Sequence, residues 1–115
     1  MKLVTTRPVA QGDILIIPVA SIPRNAKLAT PDGHHYVIAH SETGHNHVLE
    51  RTEAEVYESA DDSFVAYIKT LGDGAEVKHL RSFHTHETIG LEANKTYEVR
   101  RQREYVPEGF RRAAD

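Results

Sequence analysis

The stretch FVAYIKTLGDGAEVKHL, residues 64–80, is the most informative part of the sequence for the fold. Residues 64–68 form a continuous run of apolar, β-prone residues, which is typical of a buried strand. Gly72-Asp73-Gly74 follows as a turn, and residues 76–80 then alternate between polar and apolar side chains. The stretch therefore predicts two strands joined by a tight turn as a β-hairpin.

Similar short patterns lie on the amino-terminal side of this stretch. Residues 14–19 form a β-branched run that follows the turn-like residues 11–13, and Pro18 places this strand at an edge or ends it, because proline cannot donate to a ladder. Residues 30–33, Thr-Pro-Asp-Gly, predict a turn that joins two strands. Residues 35–39 are the strand that follows it.

The carboxyl-terminal side repeats the pattern. Residues 88–91 and 96–99, with a turn at 93–95, predict a second hairpin. The last strand is expected to continue through Arg103 and Tyr105, and residues from about 107 to 115 are expected to form a polar tail. Many short strands at close spacing predict a small all-β barrel or sandwich that forms one domain over residues 1–115.

Residues 52–58 allow two interpretations. Thr52-Glu53-Ala54-Glu55 fits a helix capping box, in which Thr52 accepts a hydrogen bond from the Glu55 amide. Val56 and Tyr57 beside it fit an edge strand equally well. The sequence thus predicts at most one short helix.

Composition excludes several classes of protein. The 115 residues include no cysteine, which rules out disulfides, thiolate metal sites and a cysteine nucleophile, and suits a reducing compartment. The first residues lack the apolar run of a signal peptide, and the longest apolar stretch is too short to cross a bilayer. We therefore expect a protein that is cytoplasmic when made and has no membrane partner.

The charged residues are segregated along the chain although the formal net charge is only −3. Residues 40–62 contain seven acids and one base, whereas residues 100–112 contain five arginines and two glutamates. The basic end of one copy can meet the acidic middle of another, or both regions are solvated faces of a monomer. The glutamates among the arginines argue against nucleic acid as a partner.

The eight histidines are the most unusual feature of the composition. His45 and His47, and likewise His84 and His86, are two residues apart, so in strands each pair projects from one face. Two such pairs, with Glu50 as a further ligand, fit zinc, iron or nickel. The alternatives are solvent-facing or core histidines without metal, or a pH-responsive interface, because histidine titrates between about pH 5 and 8.

One segment resembles a known metal motif. Gly44-His45-Asn46-His47-Val48-Leu49-Glu50 is similar to the first metal motif of the cupin family, although cupins place the glutamate at least one residue later. The resemblance implies a histidine-coordinated metal-binding protein, with a metalloenzyme as one form of it, that uses His45, His47, one of His84 or His86, and Glu50. No clean counterpart of the second cupin motif is present.

A second resemblance covers more of the chain. Residues 11–16, 43–47 and 97–105 resemble a group of short uncharacterised proteins from tailed phages and bacterial genomes. The resemblance implies a phage origin, where small β-domains serve as capsid cement or other virion parts. The sequence has no phosphate-binding glycine loop and no nucleophile elbow, so we expect a binding or assembly module rather than an enzyme.

The favoured prediction is thus a non-catalytic structural protein of the virion, such as a capsid decoration protein, with no cofactor. Its partners are further copies of the chain or a capsid shell. The predicted contact residues lie near the two ends of the chain, and they are Pro8, Ile14, Ile16, Pro18, Arg100, Arg101, Arg103 and Tyr105.

Overall fold

The computed structural model describes residues 2–4, 6–39, 46–79, 88–101, 103–106 and 109–112. These residues form strands and turns with no helix, which confirms the all-β prediction, and no helix in these ranges is long and apolar enough to cross a membrane. The strands in chain order are β1 (Lys2–Val4), β2 (Val9–Gln11), β3 (Ile14–Val19), β4 (Lys27–Leu28), β5 (His35–Ala39), β6 (His47–Glu50), β7 (Ala54–Glu58), β8 (Val65–Thr70), β9 (Ala75–His79), β10 (Ile89–Leu91), β11 (Thr96–Arg101), β12 (Arg103–Val106) and β13 (Gly109–Arg112).

The strands form two sheets that pack face to face. The first sheet has the strand order β1-β10-β9-β6-β5, and the second sheet has the order β2-β3-β11-β8-β7-β4. β12 and β13 pair with each other as a separate two-stranded ribbon. Neither large sheet closes on itself within the described part of the chain, so the architecture is a sandwich and not a barrel.

Both predicted hairpins are wrong, because each turn carries the chain from one sheet to the other. β8 belongs to the second sheet and β9 to the first, while β10 belongs to the first and β11 to the second. The two crossovers pack together, since the amides of Gly74 and Asn94 both donate to the carbonyl of Leu71. The local pattern of a strand identifies its buried face but not the sheet to which it belongs.

Three other local predictions can be compared directly. The turn at residues 11–13 joins β2 to β3, where Gly12 has a positive φ of 58°. Residues 54–58 form strand β7, which pairs with β8, so the helix alternative at this position is wrong. Residues 109–112 form β13, although the sequence suggested a polar tail there.

Pro18 lies within β3, which has neighbours on both sides. The first residue of β2 lies opposite Ile16, and β2 does not reach as far as Pro18. At Pro18, therefore, only β11 pairs with β3. The missing amide of proline therefore falls where one side of the strand is already unpaired. The residue follows the physical rule for strand prolines without lying on an edge strand.

The core lies between the sheets and is built from one face of each strand. Residues such as Ile14 and Ile16 of β3 alternate with half-buried residues that face away from the first sheet. Burying an aliphatic side chain of this size contributes about 1.5–3 kcal/mol. The fully or almost fully buried apolar residues of this cluster are Val4, Ile14, Ile16, Leu49, Ala54, Val56, Ile68, Val77, Ile89, Tyr97 and Val99.

Tyr97 connects the two layers through its hydroxyl group. The hydroxyl accepts a hydrogen bond from the Glu92 amide at 3.0 Å and donates to the Val4 carbonyl at 3.4 Å. Burial raises the pKa of this phenol above its ordinary value. The side chain therefore links β11 of the second sheet to β1 of the first.

Candidate functional site

A cluster of polar side chains lies between the sheets, where apolar residues are the rule. The buried polar cluster consists of Gln11, Asp13 and His47, all of which are almost completely buried. Gln11 ends β2 and Asp13 lies in the following turn, both in the second sheet, whereas His47 is the first residue of β6 in the first sheet. The cluster thus joins the two layers.

The hydrogen bonds of the cluster hold the His47 ring on both sides. Gln11 Nε2 donates to the Val77 carbonyl at 3.0 Å, so Gln11 Oε1 accepts from His47 Nδ1, also at 3.0 Å. On the other side of the ring, Nε2 lies 2.8 Å from Asp13 Oδ1, and one proton is shared between these two atoms. Both ring nitrogens of His47 are therefore engaged, and the contact with Asp13 is an ion pair when the ring carries the shared proton.

The local sequence explains how the turn supplies two members of the cluster. Gly12 takes the left-handed conformation that glycine adopts without steric cost, and this lets Gln11 and Asp13 on either side of it face the same interior. His47 lies opposite Ala39 on one side and opposite His79 on the other in the ladder of the first sheet. The small Ala39 leaves room beside the imidazole.

Arg101 extends the cluster toward an inter-sheet cavity. Its side chain is only 13% exposed, and its Nη2 lies 3.7 Å from Asp13 Oδ2, a distance that gives an ion pair but no hydrogen bond. The guanidinium carbon lies 5.7 Å from the centre of the Phe64 ring. Nη2 is buried and makes no hydrogen bond with the described residues.

The cavity beside Arg101 has a volume of about 380 Å³. β5 of the first sheet forms one wall, and β7, β8 and β11 of the second sheet form the other. Alanines at positions 29, 39 and 66 line it, and the register of β5 against β6 shifts between Val37 and Ala39. Small side chains and an irregular strand leave space where larger residues would fill a core.

His47 is not placed to act as a general base. Both of its ring nitrogens are engaged, one with Gln11 and one with Asp13. A general base needs a free lone pair within reach of a substrate, and neither nitrogen offers one. Arg101, in contrast, presents a charged donor to a cavity.

The structure does not bring the predicted metal ligands together among the residues that it describes. His47 faces the core, whereas Glu50 is exposed, three residues further along β6 and on its other face, about 10 Å away. His45, His84 and His86 lie outside the described residues. In the ranges described above, no three histidine, aspartate or glutamate side chains are placed to hold one ion.

The predicted contact residues fall into three groups. Pro8 and Arg100 are exposed and Pro18 is half-buried, so all three have surface available to a partner. Ile14 and Ile16 are fully buried and Arg101 points into the interior, because residues of β3 and β11 alternate between the two faces. Arg103 and Tyr105 belong to β12, and their side chains lie outside the described part.

Sequence analysis missed Gln11 and Asp13 as site residues. Both were assigned to a turn, and turns normally face solvent. The only signal was that two polar residues flank a glycine directly before a strongly apolar strand. Successive arginines of the last strand lie on opposite faces, as alternation along a strand requires: Arg100 is exposed and Arg101 points into the interior.

Two packed sheets with a polar cluster and a cavity between them define an all-β sandwich domain. The sequence profile of a family described as "Domain of unknown function (DUF8820)" matches residues 10–102, which is most of the chain, so the chain belongs to this family. The match extends from β2 to β11 and includes the cluster and Arg101. No curated protein and no solved structure matches the chain significantly.

Proposed function

We propose that this protein is a non-catalytic assembly module that associates through the edges of its sheets, as a small structural protein of a phage virion such as a capsid decoration protein. The observation that carries the proposal is the position of two exposed leucines. Leu3 is 59% exposed on β1 and Leu28 is 57% exposed on β4, and each of these strands ends a sheet.

Edge strands expose unpaired amides and carbonyls that can pair with another chain. In the part of the chain that the structure describes, β1 pairs only with β10 and β4 pairs only with β7. Each of these two strands contains one lysine, a residue that often protects edges, but also a leucine that is more than half exposed. The exposed leucine on each edge favours β-augmentation between molecules.

The two edges differ and lie apart, which determines the kind of assembly. β1 packs near β3, whereas β4 lies at the far end of the second sheet, with β11, β8 and β7 between them. Contact between β1 of one copy and β4 of the next is therefore heterologous. Heterologous contacts produce rings or extended arrays, which suits a protein that covers a shell.

Charge supports the same pairing. Glu58, Asp61 and Asp62 are exposed in β7 and in the loop after it, close to β4. Arg7 is exposed in the segment that follows β1. Opposite charges at the two edges steer association and make it sensitive to salt.

Sedimentation velocity over a range of protein and salt concentrations tests the proposal. The wild-type protein is expected to associate at low salt and to dissociate as salt is raised. Leu3→Lys or Leu28→Lys places a charge on an edge and is expected to weaken association at least tenfold. Leu71→Lys is the matched control, because Leu71 is 37% exposed in the turn after β8 and lies on no edge.

Mixing the two edge variants gives the sharpest result. Leu3→Lys retains an intact β4 edge and Leu28→Lys retains an intact β1 edge, so together they should form a heterodimer that grows no further. Co-sedimentation with assembled phage shells tests the virion part of the proposal. A wild-type protein that stays monomeric at every concentration and binds no shell contradicts it.

A further inference from the structure

We propose that the cavity between the sheets binds a small monocarboxylic acid with an aliphatic body, whose carboxylate pairs with Arg101. Neither β1 nor β4 lines this cavity, so the inference does not depend on assembly. It rests on the incomplete pairing of Arg101 among the described residues, on the geometry that holds its guanidinium, and on the lining of the cavity.

Arg101 is incompletely paired within the described part of the chain. Its one ion-pair partner there is Asp13, at 3.7 Å and without a hydrogen bond, and the other oxygen of Asp13 lies 2.8 Å from His47 Nε2. A buried cation without full compensation is costly, and an anion beside Arg101 reduces that cost.

The guanidinium is held in position although one of its nitrogens has no hydrogen-bond partner among the described residues. Its position over Phe64 is a cation–π contact, and the backbone amide of Arg101 donates to the Phe64 carbonyl at 2.9 Å. Nη2 remains a buried donor without an acceptor in the described structure. A planar guanidinium held in this way matches a carboxylate, whose oxygens accept its N–H groups.

The rest of the cavity defines the body of the ligand. Val37, Ile38, Val56 and Val99 line it with aliphatic surface, and its volume of about 380 Å³ lies in the range of small-molecule sites. Glu58 and Asp62 also line the cavity and are exposed. Their negative charges repel a phosphate or a dicarboxylate, so a single carboxylate on an aliphatic chain is the class that fits.

Calorimetric titration of the full-length protein with octanoate tests the inference. We expect one octanoate per chain and a melting temperature that rises with octanoate concentration, since a ligand that binds only the native state stabilises it. Octan-1-ol has the same chain without the charge, and inorganic phosphate has charge without the chain. Both are expected to bind at least tenfold more weakly than octanoate.

Two variants separate the two parts of the site. Arg101→Met removes the charge and should weaken octanoate binding at least tenfold, whereas Arg100→Met should not, because Arg100 faces the other side of β11 and pairs with Glu98. Ala66→Phe fills the cavity and should abolish binding while Arg101 remains. The inference is overturned if octanoate does not bind, if octan-1-ol or phosphate binds equally well, or if either cavity variant binds octanoate like the wild type.

Discussion

Replacing His47 by leucine tests whether the buried polar cluster stabilises the sandwich. Leucine has a similar volume and fits an apolar interior, so the change removes hydrogen bonds without opening a large cavity. His47 is 0% exposed, donates to Gln11 Oε1 at 3.0 Å and shares a proton with Asp13 Oδ1 at 2.8 Å. Both oxygens are buried and lose the imidazole as their partner in the variant.

The expected loss of unfolding free energy follows from the two buried oxygens, one of Gln11 and one of Asp13, that lose their partner. A buried neutral acceptor without a donor costs about 1–3 kcal/mol, and breaking a buried ion pair by removing one partner costs about 3–5 kcal/mol in total. Asp13 keeps its ion pair with Arg101 in the variant, so the lower limits of the two costs apply, and we expect His47→Leu to lower the free energy of unfolding by about 4 kcal/mol. With a urea dependence of about 1–3 kcal/mol per molar, the unfolding midpoint falls by about 2 M.

Urea denaturation followed by circular dichroism measures this difference. His35→Leu is the matched control, because His35 lies on β5 of the same sheet but is partly exposed and is not a member of the cluster. The control should change the free energy of unfolding by no more than about 0.5 kcal/mol. If His47→Leu costs less than about 1 kcal/mol, the assignment of a stabilising cluster is refuted.

Three further predictions concern other parts of the molecule. Burial raises the pKa of Tyr97 above its ordinary 10.0, so the native state favours the neutral phenol. The stability that this phenol contributes is complete below pH 10.0 and is lost as pH rises through the higher native pKa. Tyr97→Phe should therefore make the unfolding free energy fall less steeply with alkaline pH in urea titrations. Part of this fall should remain, because burial and Glu55 also raise the pKa of Tyr57. Gly74→Ala should lower the free energy of unfolding, measured by thermal unfolding, by about 1–3 kcal/mol, because φ is +79° and a Cβ would lie 2.5 Å from a carbonyl oxygen. Gly72→Ala is the control; its Cβ meets open space, so it should be nearly neutral. His47 should take no part in metal binding, because both of its ring nitrogens are already hydrogen-bonded; a rise in melting temperature with added zinc or nickel that His47→Leu abolishes would contradict this.

The strands were predictable from the sequence because their patterns are local. Residues 14–19, 35–39 and 64–68 were each assigned to strands, and the structure has β3, β5 and β8 there. β-Branched and aromatic residues at short intervals, separated by glycine and proline, need no long-range information to be read. The all-β class follows directly from them.

The pairing of the strands was not predictable in the same way. A short turn such as residues 72–74 is compatible with a hairpin and with a crossover between packed sheets. The choice depends on contacts with distant residues, here the approach of Gly74 to the carbonyl oxygen of Leu91. Such long-range contacts are absent from a local sequence pattern.

The candidate site was predictable only in part. The sequence indicated His47 as an unusual residue, but spacing alone suggested a metal ligand rather than a buried ion pair with Asp13. Its partners come from a turn more than thirty residues away in the chain. Only the packing of the two sheets brings these groups together.

Native mass spectrometry of the protein, made without a histidine tag and without chelators, distinguishes assembly from metal binding, because one spectrum reports both mass and metal content. We expect multiples of the chain mass at low salt, with no added mass of a metal ion. A monomer that carries one metal ion per chain would contradict the assembly proposal and favour the metal-binding alternative.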